Sequence, residues 1–427
     1  PPKDLHYQWR YFYCISTNSE KALFVDDAAI MSQADRMPIL IQNLNSSFRS
    51  IYSWSRKNAV IFDPAKFKIL DLTPGRASRS SKKLYFGRSS QRFVPTATYL
   101  GMTFDRQFTF KVMILDRLKK AKNQSWKFFN HASRQTGANP RTLLNIFRTY
   151  VLSTFQYAAS IWIFQVRKIT KLRSTSRPSY GNLWADIDKF FIKCIKAALG
   201  VNQTASNTAT LVIAGMWPID FILAFQAAVW LYKIHNNLAS PAVFKQYQMI
   251  RTSPLWTNSL FYYPTLEFIT LMSNPDDNLL QKPSTNEFKS LLRLRIQNTL
   301  NERWQHLDIA EWSRQLIPNW CPNLPSTAMF SKPGSVRQMQ MISGHYDCNS
   351  YLFKTKQTKS AKCRHCDYQE ETTTHILLHC PKFNVQRTKL MASVRQLDLE
   401  PIIKTILTNK LLTLATQEFL AQVDIGG

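Results

Sequence analysis

Cys363-x2-Cys366-x8-His375-x4-Cys380 gathers four soft ligand side chains into 18 residues near the end of a 427-residue chain. Two cysteines with two residues between them chelate one ion in a knuckle. A later His and Cys complete a tetrahedron, which is the ligand set of a structural zinc site. Such a site dictates its own local fold. His375 and Cys380 stand about one and a half α-helical turns apart, so the segment between them must bend for both to reach one ion. His365 and His379 are rival ligands, and His379 lies four residues after His375 on the same helical face. Reduced cysteines packed in a small core would explain the sulfurs but not the mixture of ligand types. The expected centre is Zn2+ held by Cys363, Cys366, His375 and Cys380. With residues 14, 194, 321 and 348 the cysteines number seven. An odd number scattered over a long chain argues against a disulfide framework and for a reducing compartment.

The rest of the chain is dominated by positive charge, with 55 Lys and Arg against 27 Asp and Glu, a formal net charge of +28 and a pI near 9.9. Solubility needs far less, and the usual partner of such a surface is a polyanion, most often nucleic acid. At 44% hydrophobic and 13% aromatic the sequence is globular rather than disordered. Its length suits about two to four domains with their own cores. The charge is also concentrated. Between Arg106 and Arg177 there are 15 Lys or Arg and one acid, Asp116. A lysine-rich face on a single helix is ordinarily just solvated. That imbalance across two successive helices instead marks Arg117, Lys119, Lys120, Lys122 and Lys127 as phosphate-binding candidates.

The hydrophobic pattern predicts an α+β chain. Residues 6–30 read as two strands around the polar turn Ser16-Thr17-Asn18-Ser19, the second ending at Phe24-Val25-Asp26-Asp27. Ile41, Leu44, Phe48 and Ile51 predict an amphipathic helix over 37–55. Short strands are expected at 59–62 and 67–72 around the turn Asp63-Pro64-Ala65-Lys66, then an exposed loop over 74–92 and one strand over 99–104. Beyond it Phe110, Ile114, Leu118, Ala121 and Phe128 share one helical face. Asn139-Pro140 opens a second helix as N-cap and first-turn proline, with Leu143, Leu144, Phe147, Val151 and Phe155 inward. A linker is expected at 174–181, and helices at 186–198, 219–235 and through 384–421. The apolar run 219–234, interrupted by Gln226, is too short to cross a bilayer and reads as a buried helix. Residues 240–290 give no clear pattern. Trp304, Trp312, Trp320, Met339 and Met341 are expected in cores, and His131, His235 and His306 show no partner in sequence.

The adjacent carboxylates Asp26 and Asp27 follow an apolar run. Such a pair is ordinarily a solvated turn. In nucleotidyl transfer, however, carboxylates hold the metal ions that clamp the attacking oxygen and the triphosphate. Neighbours in a regular strand point to opposite faces, so a tight turn at the pair would help both reach one site. The order of features gives the pair its weight: strand and acidic pair, helix, two strands around a Lys, a Tyr-Leu-Gly strand and a basic helical pair.

In that order the chain resembles the second half of a reverse transcriptase palm followed by its thumb, and more narrowly the reverse transcriptase of non-LTR (LINE-like) retrotransposons. Phe24-Val25-Asp26-Asp27 is similar to the family's aromatic-x-Asp-Asp motif, which implies that Asp26 and Asp27 coordinate catalytic Mg2+. Residues 54–68 are similar to the next motif, W-x-x-x-N-x-L-x-x-N-x-x-K-T-K, which implies a place for Lys66 near the incoming nucleotide. Phe67 stands where the family usually has Thr, and Asp63 where it usually has Asn. Tyr99-Leu100-Gly101, continuing to Asp105 and Phe108-Thr109-Phe110, resembles the strand that grips the primer end and leads into the thumb, so Tyr99 and Gly101 are implied nucleic-acid contacts. Tyr157 and Trp162 fit the end of the thumb. Gly344-His345, Tyr351-Leu352, Cys380-Pro381 and Arg387 flank the Cys/His cluster as in the family's C-terminal zinc module.

The resemblance is specific over 24–165 and 341–390 and generic over 200–340. It implies a partial palm at 1–98, a basic helical thumb at 99–180, a helical connector at 181–340, and the zinc module with C-terminal helices at 341–427. The implied activity is RNA-directed DNA synthesis primed from nicked target DNA, with template RNA and primer or target DNA as partners, in a ribonucleoprotein of nucleus and cytoplasm. The family's third catalytic Asp lies on an earlier strand, and Asp4 is the one Asp before the pair. The sequence also begins Pro-Pro-Lys. The chain is therefore expected to be the C-terminal part of a longer polypeptide, inactive alone. Only 47 residues follow Cys380; by the family's pattern this implies an apurinic-type endonuclease upstream instead of a restriction-like one downstream, with truncation at the carboxyl end as the alternative. The competing reading is a non-catalytic nucleic-acid-binding zinc protein, or a decayed relic of such an element.

Overall fold

The computed structural model describes residues 20–24, 27–32, 34, 36–72, 83–107, 109–130, 132, 137–163, 179–251, 283–320 and 332–423. These form two compact units, Pro1–Asp116 and Arg117–Gly427. The first carries the described strands; the second is helical.

In the first unit, β1 (Glu20–Phe24) pairs antiparallel with β2 (Asp27–Met31), in a register that sets Phe24 opposite Asp27. The strand expected to end at the acidic pair is β1, and the chain then reverses into a second strand that the sequence reading did not anticipate. The other strand expected within 6–30 lies outside the described residues. Helix α1 (Met37–Lys57) buries Phe48, Ile51 and Trp54 on its periodic face. These meet Leu84 and Phe86, with Ile30, Val60, Phe62, Phe67, Ile69 and Phe93 packed around them. Phe86 is the hub of this core: the rings of Phe67, Phe62 and Phe48 lie 4.5, 5.9 and 5.9 Å from it, the last two edge-on, the geometry aromatic quadrupoles prefer.

Four expectations fail here in whole or in part. Residues 59–62 are not a strand: Ala59 has φ +52°, and the Val60 amide folds back onto the Ser55 carbonyl. Of 67–72 only β3 (Ile69–Leu70) is extended, and it pairs in parallel with β6 (Phe93–Val94). Of 74–92, expected as an exposed loop, residues 74–82 lie outside the described ones, and in the rest β4 (Leu84–Phe86) and β5 (Ser89–Gln91) form a hairpin with Leu84 and Phe86 buried. Gly87 turns it at φ +60°, where an added Cβ would lie 2.7 Å from the Tyr52 ring. The strand expected over 99–104 is also a hairpin, β7 (Thr96–Tyr99) against β8 (Met102–Asp105), turned at Leu100 and Gly101. Both turn residues have positive φ, +48° and +69°, as a two-residue primed turn requires.

The helical expectations hold. Helix α2 (Lys111–Asn130) begins in the first unit and ends in the second, and Phe110, Ile114, Leu118, Ala121 and Phe128 are all buried. Helix α3 (Pro140–Ile146) starts where expected: the Asn139 side chain accepts from the Thr142 amide at 2.9 Å and Pro140 fills the first turn. It runs through a π-type stretch, Phe147–Leu152, into α4 (Ser153–Gln156), with Leu143, Leu144, Phe147, Val151 and Phe155 inward. Helix α5 (Ser179–Leu199) begins inside the linker expected at 174–181, whose residues 174–178 lie outside the described ones, and α6 (Asn207–Ala214), α7 (Ile219–His235) and α8 (Pro241–Arg251) follow. Among the described residues no single helix is long and apolar enough to cross a membrane; α7 buries Leu223, Ala227, Leu231 and Ile234 in the core.

Next come α9 (Thr285–Gln305), opened by a Ser284/Glu287 capping box, and α10 (Glu311–Leu316). Trp304 and Trp320 are buried, and the Trp312 indole donates to the Met341 carbonyl at 2.8 Å. Helix α11 (Lys332–Ser343) carries the buried Met339 and Met341. After α12 (Asn349–Lys354) comes the Cys/His segment, then α13 (Asn384–Gln396), α14 (Ile403–Thr408) and α15 (Thr413–Gln422). Helix α15 packs on α11 so closely that a Cβ on Gly334 would lie 2.1 Å from the Gln417 carbonyl oxygen.

Candidate metal centre and nucleic-acid surface

The segment 361–380 closes into a cage. The Cys363 amide donates to Tyr368 O at 2.9 Å, and the Glu371 amide to Ala361 O at 2.8 Å, folding the knuckle back on itself. The His365 amide points at Cys363 Sγ, 3.4 Å away. The fourth ligand arrives through a wide helical turn, His375–His379, in which the Cys380 amide donates to His375 O at 2.7 Å. In a regular α-helix two residues five apart would point roughly 140° apart around the axis. An i→i+5 turn brings the later residue back over the earlier one. This is the bend that the ligand spacing demanded.

The ligand atoms of Cys363, Cys366, His375 and Cys380 all lie within 4.8 Å of one another. Cys363 Sγ and Cys380 Sγ are 3.9 Å apart, and Cys366 Sγ is 3.3 Å from His375 Nε2. Zinc–ligand distances predict tetrahedral edges of about 3.8 Å between sulfurs and about 3.5 Å between sulfur and nitrogen, so the four residues fit one zinc ion. The rival histidines stay out. His379 is exposed, and His365 turns its ring edge to Phe383 at 5.1 Å.

Burial pushes the Cys363 thiol up to about 12 and raises that of Cys380. Burial likewise lowers the pKa of His375, keeping it neutral. Bound zinc must displace the thiol protons, which couples its affinity to pH. His375 Nδ1 is buried without a hydrogen-bond partner, while the ring stacks on Tyr368 at 4.5 Å. Zinc would supply a structural crosslink here and no reaction step.

Two supports around the cage escaped the sequence reading. Glu371 is fully buried, paired to Arg364 at 2.7 Å, and accepts from the Asn349 amide at 2.7 Å. Burial alone would raise its pKa, but the Arg364 guanidinium and the Asn349 amide hold it below the usual carboxylate range. Both charges sit inside the ligand spacing, Arg364 between the two cysteines and Glu371 in the eight-residue gap, and that placement was the available signal. Arg387, picked out by resemblance alone, is buried on α13 and donates to the carbonyls of Ile376, Leu377 and Cys380 at 3.2, 2.9 and 2.6 Å. It thereby ties off the wide turn.

The other candidates are dispersed. Asp26 and the side chain of Asp27 lie outside the described residues, so the structure gives no Mg2+ geometry. Lys66 is exposed on a 3-10 turn, Pro64–Lys66, capped by the Asp63 carboxylate on the Ala65 amide at 2.9 Å. Ile30, three residues after Asp27, and Phe67, next to Lys66, pack on the same core. Tyr99 is half-buried and Gly101 exposed at the β7–β8 turn. The next strand ends in Asp105, whose carboxylate accepts from the amides of Gln107, Thr109 and Phe110 at 3.1, 2.9 and 2.7 Å and organises the start of α2. On α2, Lys119, Lys120 and Lys122 are exposed. Arg117 lies over the Tyr157 ring at 4.5 Å. The Lys127 side chain lies outside the described residues. Compared with known proteins, the chain matches no family model, no curated protein and no solved structure.

Proposed function

We propose that this chain is the C-terminal part of the RNA-directed DNA polymerase of a non-LTR (LINE-like) retrotransposon, binding template RNA and primer or target DNA. The observation that carries the reading is an order of features along one chain. β1 ends before the acidic pair in sequence and β2 begins at Asp27, a Tyr-Leu-Gly hairpin leads into a basic helix, and a four-ligand cage fit for zinc follows. The likeness of Phe24-Val25-Asp26-Asp27 to the family's aromatic-x-Asp-Asp motif supports the acidic pair in this role. In this reading Asp26 and Asp27 hold Mg2+, Lys66 lies near the triphosphate, and Tyr99, Gly101 and the lysines of α2 meet the nucleic acid. The zinc module serves as a structural support for nucleic-acid binding.

Primer extension by the polypeptide with its complete palm tests the reading. Extension that Asp26→Ala abolishes supports it, and extension that survives this change overturns the metal assignment. Nucleic-acid binding without extension would favour the non-catalytic reading instead. Binding itself is checked by salt: if about six Lys or Arg neutralise phosphates, log affinity falls with log salt at a slope of roughly −4 to −5. A slope near zero removes the basic surface from the account.

A further inference from the structure

Between the second half of α2 and the middle of α5, within the second unit, lies an open cleft of about 450 Å³, within the range of small-ligand sites. Its walls combine residues of two helices. Lys122 comes from α2, and Lys189 and Lys193 from α5; all three are exposed. Among them stands Trp126, 66% exposed, an unusual degree for the largest apolar side chain. Phe129 and the buried Phe190 make the floor, and Lys193 Nζ lies 5.7 Å from the Phe129 ring centre. Asp186 and Ser125 complete the lining.

We infer that this cleft is a stacking site for an unpaired nucleobase of a single-stranded nucleic acid, with Trp126 as the platform and Lys122, Lys189 and Lys193 holding the flanking phosphates. The inference rests on the nucleic-acid reading of the basic helices and deepens it by naming what one part of the surface recognises. Three considerations select this occupant. A bare phosphate or a duplex backbone would make no use of an exposed indole and would meet the Asp186 carboxylate unfavourably. A base uses both, because its face stacks on the ring and an exocyclic amine can donate to a carboxylate. Base pairs in a duplex keep their faces stacked on one another, so a side-chain platform selects single strands. The three lysines supply the backbone attraction that such sites pair with stacking.

The test is fluorescence anisotropy with labelled RNA 12-mers on the full chain: single-stranded oligo(A), the same oligomer with abasic positions, and a perfect duplex. Trp126→Ala should weaken oligo(A) binding by about tenfold to a hundredfold, as removal of a stacking platform does. Trp126→Phe should retain most of the affinity. Abasic and duplex RNA should bind wild type and Trp126→Ala alike, and thermal unfolding should be unchanged because Trp126 is exposed. Equal binding of oligo(A) by wild type and Trp126→Ala overturns the inference, as does an equal loss for all three RNAs. If the broader reading is at fault instead, wild type shows no salt dependence with any of the three. If only the stacking site is wrong, the steep salt slope persists while Trp126→Ala behaves as wild type.

Discussion

The zinc cage and the α11–α15 seam both bury polar side chains in the same unit, but they satisfy them in opposite ways. At the seam, Ser335, Gln338 and Gln417 are wholly buried and neutral, and they complete one another. Ser335 Oγ donates to Gln417 Oε1 at 3.0 Å, Gln417 Nε2 to Gln338 Oε1 at 3.0 Å, and Gln338 Nε2 to Leu407 O at 2.8 Å. Nothing from outside is required. In the cage, three thiols and an imidazole converge at metal-ligand spacing, and His375 Nδ1 has no hydrogen-bond partner. A buried network that is closed on itself adds rigidity unconditionally, whereas an open one stabilises only when its missing member arrives. The helical seam should therefore keep its structure under conditions in which the Cys/His segment loses its own.

Removing the metal is the strongest way to break this comparison. Chelation, or Cys380→Ser, should lower zinc content by native mass spectrometry from one ion to none and cost up to about 10 kcal/mol of local folding free energy. Hydrogen exchange should lose protection at 361–380 and keep it along α11 and α15; equal loss in both would mean the seam also depends on the ion. Gly334→Ala attacks the other side. Its Cβ would meet the Gln417 carbonyl, so the seam should lose about 2–3 kcal/mol by denaturant unfolding while zinc stoichiometry stays at one. Glu371→Gln should cost about 2 kcal/mol, as expected for hydrogen bonds to a charged group, and weaken zinc binding without abolishing it.

The smallest effect sharpens the comparison through pH. Because the folded pKa of Glu371 lies below its unfolded value, its contribution is complete above about pH 4.3 and is lost as pH falls through the depressed folded value. The stability gap between wild type and Glu371→Gln should accordingly be full at pH 6 and shrink towards pH 3. Gln417→Leu should differ from wild type by an amount independent of pH, since none of the three seam side chains titrates.

Legibility in the sequence followed the length over which a physical signal repeats. Helix α2 announced itself through five buried positions over nearly twenty residues, α7 matched its expected bounds, and α3 was marked by Asn139-Pro140. The strands are two to five residues long, too short for alternation to stand out. Leu84 and Phe86 were hidden among Ser, Arg and Lys. The β7–β8 turn places Leu100 at positive φ, which no propensity for leucine foretells. Metal ligands were legible because chelation imposes spacing directly. The Glu371–Arg364 pair was not, because charged residues in a polar segment are ordinarily solvated. Trp126 was missed for a related reason: the lysines on its helix were counted by charge, and the platform appears only once α5 lies alongside.

The wide turn from His375 to Cys380 has a consequence for how this chain can vary by descent. Its intervening residues, Ile376 to His379, act as a length standard, since each one added or removed swings Cys380 about a quarter-turn around the axis and away from the ion. The gap between Cys366 and His375 is a loop, where an added residue can bulge outwards so long as Glu371 keeps its place. Descendants of this sequence should therefore collect insertions and deletions between the second and third ligands and almost none between the third and fourth.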